Sequence, residues 1–466
     1  MRALILTGLL LASPALATPA SDRWHAKARE LLDRAIAFPT VAGRGQHVPY
    51  AQYLANEYKA AGFADVRVEP YKGQEGDDTA ALIVRWPAAG SAKAKPILLL
   101  SHMDVVEAKP SDWSMDPFKL IEKDGYYHGR GTIDIKSGNV AITAALMRLK
   151  AEGFRPKRDL IVFFTGDEET QMNGARLGAT EWRAKGWTDA EFALNSDGGG
   201  GSFTSDRRPL GFGLQTAEKT YQSYDLTVRN RGGHSSRPRP DNAIYELATA
   251  LKKLEAHRFA PQLNETTRAY FTERAKQETG PLGEAMRRWI ADPSDGAAAD
   301  AIEASELEVG TTRTRCVATM LNGGHADNAL PQLAQARVNC RILPGIEPKA
   351  VEAELKQVVG PEVEVSVFGE PGRASPISPL RSDVVKAYAD SVKAIDPKSP
   401  VIPQMSTGAT DGREFRAAGI PVYGVDGSWI VSPDDERAHG RDERLPVKAL
   451  DDNVDHWVRM IRALAG

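Results

Sequence analysis

The chain has 466 residues with 59 basic and 62 acidic side chains, a formal charge of -3, which excludes the strong positive field of a nucleic-acid-binding protein. Hydrophobic residues at 42% and charged ones at 26% describe an ordinary globular protein in water, and the length calls for two domains rather than one core. At the start, Arg2 precedes an apolar stretch from Ala3 to Leu11, and Ala15-Leu16-Ala17 follows. A basic start, an apolar core and an Ala-x-Ala ending predict a secretory leader, residues 1–17, cleaved after Ala17. It is too short to span a bilayer, no Cys near it suggests a lipid anchor, and no later segment reads as membrane-spanning. The mature chain is expected to be secreted or periplasmic, with no membrane and no nucleic-acid partner.

Trp24 to Phe38 and Val48 to Gly62 read as amphipathic helices, stopped by Pro39 and Gly62. Strands follow at Ala80 to Trp86 and Pro96 to His102, then an irregular stretch rich in Pro, Asp and Trp, then Gly129-Arg130-Gly131-Thr132-Ile133-Asp134. Ser137 to Lys150 is helical in pattern. Leu160 to Phe164 is a continuous apolar run, expected for a strand buried on both faces of a sheet. A further strand, Phe192 to Asp197, runs into four glycines. Strands alternating with helices at this spacing predict an α/β fold with a parallel or mixed sheet.

Near Thr216 the character changes, and Tyr221 to Val228 alternates as a half-exposed strand does. A helix from Asn242 to Ala256, strands around Cys316 and Cys340, a helix from Pro348 to Val359 and a strand at Val363 to Val367 complete the order β-α-β-β-α-β of a ferredoxin-like unit. A polar, helical insertion occupies about 262–310. The α/β pattern resumes near Leu380, so an α+β module at 217–376 is expected to interrupt a first domain made of 21–216 and 377–466. If the two Cys-bearing strands pair antiparallel, the thiols face each other. A disulfide and two free buried thiols are both open, because cross-strand geometry is often poor for the bond.

Acid or imidazole side chains recur at strand ends: His102, Asp134, Glu168 with Glu169, Asp197, and a late His439. Open α/β sheets build their sites at such ends. Imidazole together with carboxylate suits a borderline-soft metal such as zinc. Asp104, two residues past His102, is placed to orient that imidazole. Adjacent acids can divide labour, one holding a metal while the other moves protons. Alone, a His-x-Asp or an acidic pair is usually only solvated surface. The ordered set carries the weight.

Ser101-His102-Met103-Asp104, Gly129 to Gly138, Thr165-Gly166-Asp167-Glu168-Glu169 and Asn195-Ser196-Asp197 resemble the M20 metallopeptidases. The resemblance continues through Arg231 to Ser236, Gly323 to Pro331, Thr407-Gly408-Ala409-Thr410-Asp411 and Ala438 to Glu443. It implies a zinc-peptidase-like catalytic domain with a mixed central sheet, an inserted lid, and two Zn2+ per subunit, with Co2+ or Mn2+ as alternatives. Carried over by position, Asp134 would bridge the two metals, Glu169 and His439 would complete one site, and His102 and Asp197 the other. Glu168 would be the general base. On the lid, His234 resembles a residue that supports the oxyanion, commonly from a partner subunit. Asn328 resembles a substrate-binding residue, and Arg341 matches a clamp for a substrate carboxylate. Thr407 and Gly408 would line the pocket, while His128 and His325 read as structural. A homodimer through the lid is implied as well.

The activity implied is hydrolysis of amide bonds in short peptides, as a carboxypeptidase or dipeptidase. The nearest alternative is an N-acyl-amino-acid amidohydrolase with the same metals. The remote one is a non-catalytic peptide-binding protein, which loss of Glu168 or Asp134 would mark; both are present.

Overall fold

A computed structural model describes residues 20–73 and 76–466; the leader predicted at 1–17 lies outside the described residues. The central sheet has eight strands in the order 65–72, 78–86, 160–165, 97–102, 192–203, 422–431, 209–218, 401–406. The middle four run parallel, and the strands beside them at 78–86 and 209–218 run antiparallel, so the sheet is mixed.

Leu160–Thr165 and Ile97–His102 are buried at every position. Alternate side chains serve opposite faces. Ile97, Leu99, Val162 and Phe164 pack under the helices Ala20–Ile36, Lys136–Ala151 and Val447–Ala465, whereas Leu98, Leu100, Ile161 and Phe163 meet Ala175, Trp182 and Phe415 on the other side. Each such side chain contributes about 1.5–3 kcal/mol on burial, which locks the register because a one-residue slip would exchange the faces.

The register sets up the site. His102 stands level with Thr165 on one neighbour, and Leu100 is level with Asn195 on the other. The C-terminal ends of three parallel strands therefore meet. The strand predicted to stop at Asp197 continues through the glycines to Phe203. Gly199 (φ +90°) is pressed against the next strand, where a Cβ would fall 2.8 Å from the Gly424 carbonyl oxygen. The stretch 103–128, expected to be irregular, contains a hairpin, 121–123 with 126–128, onto which Arg444–Pro446 adds a third strand.

A second sheet is drawn wholly from residues 220–368, ordered 315–323, 333–342, 220–229, 364–368, with antiparallel neighbours throughout. Helices Ala243–Ala256 and Pro348–Val359 pack on it around Tyr224, Leu247, Val338 and Leu355. This is the strand order of a ferredoxin-like unit. Cys316 and Cys340 are paired across the ladder and joined as a disulfide, so of the two readings open in the sequence the bond is the one found. The insertion forms three helices, Glu265–Gln277, Pro281–Ala291 and Gly296–Glu303, with their own core of Phe271, Met286, Trp289 and Ile302. It reaches back to the large sheet: its first helix lies on the edge strand Val401–Ser406, and Thr266 hydrogen-bonds Thr216 at 2.7 Å. No described helix is long and apolar enough to cross a membrane.

Candidate metal centre

His102 ends its strand 1% exposed, with its ring aimed at the acids. Its Nε2 lies 3.1 Å from Asp134 Oδ1 and 3.9 Å from Asp197 Oδ2. The other Asp134 oxygen, Oδ2, lies 3.0 Å from His439 Nε2, which is also 2.9 Å from Glu169 Oε1. One carboxylate thus stands between two imidazoles, and each imidazole has a further acid beside it. Donor atoms of His102, Asp134 and Glu169 all lie within 4.8 Å of one another, as do those of His102, Glu168 and Asp197.

The surroundings hold these groups in place. Asp104 lies beyond the end of its strand, not on it. Its carbonyl oxygen is 3.1 Å and its carboxylate 3.4 Å from His102 Nδ1. The same carboxylate accepts hydrogen bonds from the backbone N–H groups of Glu168 (3.1 Å) and Glu169 (2.9 Å), tying the imidazole to the acidic pair. Asp167, the third acid of that run, takes a different part. It accepts from Tyr71 Oη (2.6 Å) and from the N–H groups of Asn173 and Gly174, which anchors the turn to the next helix.

Electrostatics follow from crowding. Burial and then Asp197 push the Glu168 carboxyl well above its usual range; burial and then Asp134 do the same to Asp197. Burial works against Asp134 too, yet the hydrogen bonds from His102 and His439 overcome it and hold this carboxyl below the ordinary range. His439 rises to about 10 through its bonds to Asp134 and Glu169. So many acids around two imidazoles form a concentrated negative site, and a divalent cation is the partner such a donor set fits.

Three groups here escape a reading of the sequence. Glu443, fully buried, accepts from Ile133 N–H (2.6 Å), Asp134 N–H (3.1 Å), Gly131 N–H and Arg130 Nη1 (2.6 Å). Four residues after His439, it ties the two loops that carry Asp134 and His439. Asp411 hydrogen-bonds Thr165, and burial raises it to about 8. Asn139 donates to the His102 carbonyl (2.8 Å) and to Ser101 Oγ. Glu443 and Asp411 lie inside motifs noted above, yet nothing in their spacing distinguishes a buried anchor from a surface acid.

The remaining candidates stand apart from this cluster. Arg341 lies over the Tyr221 ring and donates to the Thr407 carbonyl at 3.4 Å, with Gly408 next in the chain. His234 is in the short ribbon 233–234 with 329–330, and Asn328 immediately precedes its second strand; Ser235 N–H donates to the Asn328 carbonyl, and His234 is exposed, its ring bonded only to Ser236 among the described residues. None of the hydrogen bonds of the described residues joins His234 or Asn328 to the acids.

Residues 98–463 match the family described as peptidase family M20/M25/M40. The chain belongs to this family. It is a hydrolase of the metal-dependent M20 group. It is 28% identical over 378 residues to the N-fatty-acyl-amino acid synthase/hydrolase PM20D1 of Xenopus tropicalis, covering 79% of this chain and 72% of that one. A probable carboxypeptidase S-like 2 of Dictyostelium discoideum is 27% identical over 402 residues, covering 82% and 74%. Among solved structures, the M20 family metallo-carboxypeptidase Sso-CP2 of Sulfolobus solfataricus superposes with a TM-score of 0.68 at 19% identity, over 94% of this chain and 98% of that one. That last likeness is one of fold.

Proposed function

We propose that the protein is an exported amide hydrolase that acts, with two zinc ions, on short peptides carrying a free carboxylate. The observation that carries this is Asp134, whose two oxygens each face a different imidazole while Glu168 lies buried beside them. In this reading Asp134 would be shared between the two ions, His439 and Glu169 would hold one, and His102 and Asp197 the other. When bound, the ions polarise the scissile carbonyl and acidify the attacking water. Glu168 takes that water's proton and delivers it to the leaving nitrogen. Arg341 receives the substrate carboxylate beside Thr407 and Gly408, as the guanidinium fork allows.

The domain at 217–376 acts as a lid carrying His234 and Asn328. A second copy of the chain supplies His234 to the oxyanion. Two features support that arrangement: His234 is exposed, and the edge strand Arg315–Gly323 leaves Val317, Met320 and Leu321 60–70% exposed. Export is supported by the leader pattern in residues 1–17 and by the disulfide. A second reading, hydrolysis of N-acyl amino acids, is favoured by the likeness to PM20D1, and it uses the same clamp.

The test loads the protein with zinc, cobalt or manganese and screens dipeptides against N-acyl amino acids. Glu168→Gln is expected to lower kcat by roughly 10²- to 10⁴-fold with metal content unchanged by mass spectrometry. Full activity in that variant removes the proposed base, and cleavage of neither substrate class by the wild type removes the function.

A further inference from the structure

A cavity of about 680 Å³ opens beside Arg341 and Thr407, between the end of helix Ala243–Ala256 and the segment 309–318. Leu251, Leu254, Phe259, Val309 and Val317 give it apolar walls. Its cations are of two kinds. Four are occupied: Arg313 pairs with Asp300 at 2.7 Å, Arg315 approaches Glu303 at 3.7 Å, Lys252 pairs with Glu255, and Arg258 donates to the Glu255 and His257 carbonyls. Lys219 and Arg341 are different. Neither has a carboxylate within 4.0 Å among the described residues. Lys219 is 1% exposed, and its ammonium makes one hydrogen bond, to the Arg313 carbonyl at 2.8 Å. Arg341 has only the long contact to Thr407 and the face of Tyr221.

Glu303 is the carboxylate nearest in influence to Lys219, but its oxygens are taken by the N–H groups of Gly310 and Thr312 and by Thr312 Oγ1. Burial, with smaller contributions from Arg315 and Arg341, lowers Lys219 to about 8 against the pull of Glu303. A buried ammonium with one carbonyl partner is costly, and a ligand anion is the group that relieves it. The chain links the cavity to the acid cluster through Thr407. Thr407 lines it, and four residues on, Asp411 hydrogen-bonds Thr165 at the strand end that precedes Glu168.

We propose that Lys219 and Arg341 together bind the free carboxylate of the amino acid the enzyme releases, and that the apolar cavity receives that amino acid's large side chain. Lys219 is then a recognition residue, and the preferred leaving groups are bulky and apolar, such as leucine or phenylalanine, over glycine or aspartate. This rests on the reading of Arg341 as the carboxylate clamp.

The experiment compares wild type with Lys219→Met, which keeps the stem and removes the charge. Substrates are Ala-X dipeptides and N-acetyl-X with X as Gly, Asp, Leu or Phe, each with a free or amidated C-terminus. The expected result is a KM that rises about 10- to 100-fold in Lys219→Met for the free acids, with kcat and metal content unchanged. Amidated substrates should be poor for wild type, a comparison that does not depend on the variant folding, and indifferent to the substitution in the folded variant. An unchanged KM, or equal use of Gly and Phe by wild type, overturns the proposal. Dodecanoate, an apolar carboxylate that is not an amino acid, is titrated by calorimetry alongside N-acetyl-phenylalanine. Lys219-dependent binding of dodecanoate alone assigns the cavity to free fatty acids and also overturns it. If nothing is cleaved but N-acetyl-phenylalanine still binds in a Lys219-dependent way, the hydrolytic reading fails while this site stands.

Discussion

At the scale of single residues, Glu443 shows how a ligand loop is held from behind. Its carboxylate gathers N–H groups of Gly131, Ile133 and Asp134 together with the Arg130 guanidinium, which also donates to the Gly440 carbonyl. Removing it leaves those buried donors unpaired and frees Asp134 to turn. Glu443→Ala is therefore expected to weaken metal binding by about 10- to 100-fold, measured by competition with a chelator. Glu443→Gln should fall between, since its amide oxygen still accepts from the Ile133 and Asp134 N–H groups while its NH2 cannot accept from Arg130. Equal metal affinity in Glu443→Ala and wild type would show that the Asp134 loop holds its shape unaided. The acids Glu168, Glu169, Asp134 and Asp197 were legible as a set because each follows an apolar strand or a glycine turn. Glu443 was not legible as an anchor, because its partners lie more than 300 residues away in sequence.

At the scale of elements, the last helix, Val447–Ala465, ties the C-terminus to the first and third helices through Leu450, Val454, Trp457 and Ile461. His456 lies fully buried within it against Tyr388 and Trp457, with Nδ1 2.9 Å from Ser391 Oγ. Burial, aided by Arg459, lowers its pKa from 6.5 to about 3. The sign follows. Between about 3 and 6.5 the unfolded chain binds a proton that the folded chain does not, so stability rises with pH through that window and is lost as pH falls below 6.5. His456→Leu should flatten this dependence by up to ~1.4 kcal/mol per pH unit, read from denaturant unfolding at pH 4, 5, 6 and 7. Parallel curves for the two proteins would mean that His456 takes its proton in the fold. Helices such as Lys136–Ala151 and Pro348–Val359, and the chain order of the second sheet's strands, could be read from period and stop signals, whereas the last helix is not assigned from the sequence. The hairpin at 121–128 could not be read, because strands of three residues show no period and are defined only by pairing with each other and, for 126–128, with 444–446.

At the scale of the whole molecule, the exposed edge strand 315–323 and the exposed His234 bear on whether one copy suffices. If the partner supplies His234, wild type sediments as a dimer, and Met320→Glu with Leu321→Glu yields a less active monomer. Mixing His234→Ala subunits with Glu168→Gln subunits, each inactive alone, should then restore about one quarter of wild-type activity. Half the reassorted dimers carry one intact site of two. No recovery on mixing, or a fully active monomer, would place every needed group within one chain. The same distance explains a limit of local reading. Strand-end acids are encoded beside their own strands, but a group that arrives from another element or another copy is not.

What the sequence by itself determined is the inventory: apolar runs that must be buried on both faces, acids and imidazoles at their ends, and a β-α-β-β-α-β module interrupting the first domain's pattern. These are short-range properties, set by side-chain period and by the turn residues next to each strand. The tertiary structure decided which atoms meet. Only the sheet register sets His102 level with Thr165, turns the two oxygens of Asp134 toward different imidazoles, and closes the Cys316–Cys340 bond. Only the packing of the second sheet leaves Lys219 buried near Arg341 without a counter-charge among the described residues. The reason is physical: hydrogen bonds and charges act over a few ångströms in space, and residues that share them here can be 310 positions apart along the chain, as Ile133 and Glu443 are.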